Sequence, residues 1–139
     1  MTTSVDIDVA VPDREWPAFP ISHDEDLPGM FTFTGTDIET RPWRTFADQP
    51  GIRERVLWGN TETGAFAGII ELAPEAGIRE HVHRRLAHHL FVVSGTCEVT
   101  PAGRMLAPGS YAVAEPGVTH GIARAGLAGC RIFFVQAEA

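Results

Sequence analysis

From Arg53 onward the apolar residues fall into short runs of four to nine positions, divided by glycine and proline at close intervals. The runs are RVLW, AFAGIIELA, HHLFVVSG, TCEVT, YAVAE, HGIARA and CRIFFVQA. Turn signals separate them at Gly59-Asn60, between Pro74 and Gly77, and at Ser94-Gly95, Pro101 to Gly103, Pro108-Gly109, Pro116-Gly117 and Gly126. Short β-favouring runs with frequent turns predict an all-β sandwich or barrel. The first 40 residues are rich in proline and aspartate, with β-favouring runs at 5–11 and 30–34 and a turn at Pro28-Gly29. They read as an arm lying on a sheet edge, so residues 1–40 are assigned to the arm and 41–139 to the barrel. A brief turn over 45–49 is the helical candidate, and no internal repeat or low-complexity segment is visible.

The 139-residue length fits one domain, and 44% apolar with 21% charged residues is ordinary for a folded globular chain. No run approaches the roughly 20 apolar residues of a membrane helix, and the acidic start MTTSVDIDVAVPDREW is unlike a secretory or transit segment. A cytoplasmic protein with no membrane partner is expected. All eleven basic residues are arginine, which removes Schiff-base and phosphate-loop lysine chemistry. The net charge is -7; seven acids against Arg14 in residues 1–26 carry most of it. No basic stripe is present, so nucleic acid is excluded as a partner. Cys97 and Cys130 lack CxxC spacing and read as buried, reduced thiols.

Five of the six histidines lie within 40 positions: His81, His83, His88, His89 and His120. On a strand His81 and His83 point the same way, about 7 Å apart, and can grip one metal ion. After residues 84–87 a strand resumes in which His88 shares a face with Leu90 and Val92, and His89 shares the other with Phe91 and Val93. Only one of these two adjacent imidazoles can join the first pair. Imidazole is the commonest ligand for zinc, iron, copper and nickel, so metal binding is the leading reason for such a concentration.

The stretch from Gly77 through His81, His83 and His88 to Gly95 resembles the first cupin motif, G-x5-H-x-H-x3-4-E-x6-G. The stretch from Gly109 through Pro116, Gly117 and His120 resembles the second, G-x5-P-x-G-x2-H-x3-N. The resemblance covers about 45 residues and implies a single-domain cupin, a small jelly-roll β-barrel. The leading glycine stands three residues from His81 instead of five, Glu115 replaces the motif proline, and Arg124 stands at the motif asparagine. His88 occupies the slot of the glutamate ligand. Carried over residue by residue, the resemblance implies a metal site of His81, His83, His88 and His120, with catalysis through the metal. His89 replaces His88 if the strand register is shifted by one.

Four neutral ligands leave the full charge on a divalent ion, most simply Zn2+, with Fe2+ or Ni2+ as alternatives. Within the cupins an all-histidine set is similar to that of the zinc-dependent polyketide cyclases, which implies aldol-type ring closure of a poly-β-ketone in antibiotic biosynthesis. A dioxygenase acting on a diketone or aromatic ketone is a second reading. A non-enzymatic metal-binding sensor, resembling the C-terminal domain of certain anti-sigma factors, is a third. Trp58, Phe66, Ile70, Leu90, Val92, Tyr111, Phe133 and Val135 are candidate pocket walls, so the expected partner is a small apolar, carbonyl-rich or aromatic molecule. The resemblance to cupins also implies a homodimer as an expected assembly.

Overall fold

The computed structural model describes residues 5–6, 24–27, 30–45, 49–60 and 62–138. Its elements in chain order are β1 (Val5–Asp6), β2 (Asp24–Leu27), β3 (Met30–Thr32), α1 (Gly35–Glu39), β4 (Arg44–Thr45) and β5 (Ile52–Gly59). They continue with β6 (Phe66–Leu72), β7 (Ile78–Val82), β8 (Leu86–Thr100), β9 (Arg104–Leu106), β10 (Tyr111–Ala114) and β11 (His120–Glu138). The fold is all-β, as the alternation of short apolar runs and turns requires. One sheet holds nine strands among the described residues, and β2 pairs only with β3. Its ladders are antiparallel except that the two residues of β1 run parallel to β7.

The cross-strand register puts side chains into rows. Ala114, His88, Gln136 and Phe66 form one inward row across β10, β8, β11 and β6. Leu90 and Phe134 follow, then Val92, Ile132 and Ile70. Phe66, Ile70, Val92, Ile132 and Phe134 are all nearly fully buried and belong to one apolar cluster. Phe66 and Phe134 meet edge to face, their centroids 5.0 Å apart. Cys97 and Cys130 belong to the same cluster at the end remote from His88, and both are buried free thiols.

Strand β11 reaches from one end of the molecule to the other because β8 pairs with it along nearly its whole length. Ala125 faces Cys97 and Cys130 faces Gly95, leaving 126–129 as an excursion between them. Gly95 sits at φ +74, and a Cβ there would run into the Gly129 carbonyl, so this motif position needs glycine.

Residues 33–45 cover part of the sheet's outer surface. The Trp43 ring lies between two guanidinium groups, 4.1 Å from Arg53 and 3.8 Å from Arg55. Glu39 bridges Arg55 at 3.2 Å and Arg131 at 2.8 Å, and Glu71 pairs with Arg131 and Arg53. The helix in this region is α1, which has a capping box between Thr34 and Asp37. It was not foreseen, because five residues are too few for an apolar period to register. Of the turn expected over 45–49, Thr45 closes β4 and residues 46–48 lie outside the described residues, as do Pro28-Gly29 and 7–11. No helix among the described residues is long and apolar enough to cross a membrane.

Candidate metal centre

Three strands bring four histidines to one end of the inner surface. His81 is on β7, His83 follows that strand directly, His88 is the third residue of β8, and His120 begins β11 opposite His81. Their potential ligand atoms all lie within 4.8 Å of one another. His81 and His120 rings are 4.4 Å apart between centroids, and His83 and His88 rings 4.8 Å. His81 and His83 are buried, while His88 and His120 are half-buried, so the group is open on one side.

The rings are oriented by their own backbone. His81 Nδ1 donates to the Arg79 carbonyl at 2.7 Å and His120 Nδ1 donates to the Val118 carbonyl at 2.9 Å. A carbonyl can only accept, so both rings carry their proton on Nδ1 and leave an Nε2 lone pair for a ligand bond, the arrangement that metal-binding histidines require. The turn carrying Val118 is itself tied to the first motif, with Gly117 N donating to the His83 carbonyl at 2.7 Å. His88 Nδ1 lies 3.2 Å from His120 Nε2. That spacing is close to the edge of about 3.3 Å that a tetrahedral ion with Zn–N bonds of about 2.05 Å demands.

Burial pushes His81, His88 and His120 toward the neutral form. His81 is pushed down to about 4, mainly by burial and further by His120 and His83, against its bond to the Arg79 carbonyl. His88 lies well below the ordinary range through burial and then through its neighbours His83, His120 and His81. His120 is also lowered by burial, opposed by its bond to the Val118 carbonyl. These three thus favour free nitrogen lone pairs, and the group's four members include no carboxylate. A divalent ion of borderline softness fits such a donor set.

His89 points the other way. Its Nδ1 is 2.6 Å from the Tyr111 hydroxyl and the two rings stack, so β8 has the register in which His88 faces inward. The expected pocket walls divide by face. Phe66, Ile70, Leu90 and Val92 are on the inner side, where they pack into the core. Trp58, Tyr111, Phe133 and Val135 are on the outer side, which corrects their assignment. Val135 pairs with His89 and with Ala67, and Ala67 pairs with Trp58; Tyr111 and Phe133 both pair with Phe91. In CRIFFVQA the apolar residues occupy both parities, so alternation gave β11 no phase, and Phe134 and Gln136 were missed. Phe134 stands edge-on to His88 with centroids 5.8 Å apart. Gln136, buried beside His88, donates from Nε2 to the Gly64 carbonyl at 3.3 Å.

A family model described as "ChrR Cupin-like domain" matches residues 33–138. No curated protein matches the chain. Among solved structures, the polyketide cyclase RemF from Streptomyces resistomycificus is similar at 18% identity and a TM-score of 0.63, covering 77% of this chain and 79% of that one. KdgF from Halomonas sp. is similar at 22% identity and a TM-score of 0.61, covering 73% and 92%. A chain of the Rhodobacter sphaeroides SigE complex with the anti-sigma ChrR is similar at 20% identity and a TM-score of 0.58, covering 72% of this chain and 51% of that one. At these identities the likeness is one of fold.

Proposed function

This chain belongs to the ChrR cupin-like domain family, and from that premise we propose that it is a metal-dependent cyclase. In this reading His81, His83, His88 and His120 hold one divalent ion, zinc first, and the substrate is a poly-β-ketone that closes by an aldol-type reaction with loss of water. The observation that carries it is the all-imidazole donor set, four neutral nitrogens with no carboxylate to offset the ion's charge. Such an ion supplies Lewis acidity toward a carbonyl oxygen and so acidifies the neighbouring methylene.

The chain's own residues do the rest. The Arg79 and Val118 carbonyls fix the rings of His81 and His120. Phe134, edge-on to His88 and backed by Phe66, gives the site an apolar floor that suits a carbonyl-rich, pre-aromatic chain. Holding that chain folded on such a floor raises the effective concentration of its two reacting carbons. The sequence has no lysine, so the methylene proton passes to water at the half-open side bounded by His88 and His120.

The test is incubation of the zinc-loaded chain with a short poly-β-ketone, followed by mass spectrometry for the dehydrated ring product. A product profile equal to that of the protein-free reaction would overturn the reading. Oxygen uptake by iron-loaded protein on a β-diketone would replace it with a dioxygenase. One observation favours a second reading, a metal-holding regulatory domain: side chains fill the interior directly behind the histidines. It is supported if the ion is bound stoichiometrically and no carbonyl substrate turns over.

A further inference from the structure

An antiparallel sheet with one face on the core ordinarily turns polar residues outward on the other. The outer surface of β10, β8 and β11 does not. Its two adjoining rows read Val113, His89 and Val135, then Tyr111, Phe91 and Phe133. None of these six is a formally charged acid or base, and Phe91 (44%), Val113 (47%) and Tyr111 (57%) are substantially exposed. The polar atoms within the patch satisfy each other, because Tyr111 and His89 share a hydrogen bond while their rings stack.

Beyond Trp58 the same sheet surface continues to Arg53 and Arg55 on β5 and Arg131 on β11, and there the chain covers it with its own residues 39–43. Trp43 is stacked on Arg53 and Arg55, and Glu39 is bonded to Arg131. The outer surface is therefore divided into a half sealed by this chain and an apolar half left bare.

We propose that the bare half is the docking face for a second copy of this chain, sheet against sheet. Three features select a copy over a foreign partner. The patch holds no aspartate, glutamate or arginine, so an isologous contact, which lays each patch on itself, brings no fixed like charges together. The charges flanking it, Arg131, Glu71 and Arg53, are already paired with one another and project no one-signed field to draw an oppositely charged protein. The area is also adequate. The exposed parts of Trp58, Phe91, Val93, Tyr111 and Val113 amount to roughly 400 Å². Two copies thus bury about 800 Å² through these side chains, and half-buried Phe133 and Val135 with the polar rim bring the contact to the range of about 1,200 Å² of stable interfaces. Twisted sheets pack face to face at about 10 Å in this manner.

Because His88 faces inward and His89 outward, the dimer is separable from the metal centre. Sedimentation velocity of the full chain at micromolar concentration is expected to give twice the 15.1 kDa chain mass. Phe91→Glu and Val113→Glu are each expected to yield monomers with unchanged metal content, and Leu127→Glu, on the excursion away from this face, to leave the dimer intact. Hydrogen exchange on the unsubstituted chain provides a readout that needs no variant: protection of β10 and of β8 around Phe91 rises with protein concentration. A monomer at every concentration overturns the proposal and leaves the face to a different protein. A dimer that survives both substitutions, with concentration-dependent protection elsewhere, overturns it as well.

Discussion

His88 and His89 are adjacent in sequence and opposite in role, because a strand turns successive side chains to opposite faces. His88 lies 3.2 Å from His120 and forms part of the four-histidine group, whereas His89 is bonded to Tyr111 outside the barrel. His88→Ala is therefore expected to reduce metal per chain, measured by plasma mass spectrometry after dialysis, at least tenfold. His89→Ala is expected to leave it unchanged. The reverse result would place the ion outside this group. The motif resemblance made His88 legible in advance. Gln136 was not legible, since nothing in an apolar run marks an amide that reaches the histidine group only through the β8–β11 ladder.

At the scale of the element, residues 33–45 show how a weak local pattern is fixed by packing. α1 is five residues long and has no buried side chain, so its capping box alone cannot hold it. What seats it is Arg55, buried on β5, whose Nε donates to the Arg41 carbonyl at 2.9 Å and whose Nη2 donates to the Glu39 carbonyl at 3.1 Å. Trp43→Ala removes the ring stacked on Arg53 and Arg55. It is expected to lower stability by about 2–4 kcal/mol in urea titrations. It should also speed amide exchange over 35–45 while leaving β8 and β11 protected. Equal loss of protection in every strand would mean that this segment folds as one unit with the sheet. The strands themselves were readable from turn spacing, but their phase was readable only where polar residues broke the run. β8 opens with no alternation of polar and apolar residues, and its phase came from the motif position of His88; β11 has no comparable marker and was phased wrongly.

Over the whole molecule the neutral histidines couple stability to acidity. His81 binds its proton near pH 4 when folded and near 6.5 when unfolded, so the unfolded state holds more protons between these values. The stabilisation is fully present above about pH 6.5, is lost as pH falls, and is gone near pH 4; His88 and His120 act in the same direction. For His81 alone the loss is about 3 kcal/mol. Urea titrations of metal-free protein should show this decline, and metal-loaded protein should release its ion over the same acid range because protons compete for the nitrogens. Stability constant from pH 7 to 4 would contradict the burial of these rings. The sequence by itself determined the all-β class and, through the motif resemblance, a histidine group with His88 or His89 as its fourth member; it divided β8 and β11 into two runs each, because the glycines at 95 and 126 that read as turns lie within continuous strands. Only the tertiary structure decided which apolar residues line the interior and which form the outer face, that Gln136 and Phe134 border the histidines, and that Cys97 and Cys130 share one core cluster. Those facts depend on register between strands far apart in the chain, and a strand with apolar residues on both faces carries no mark of its own phase.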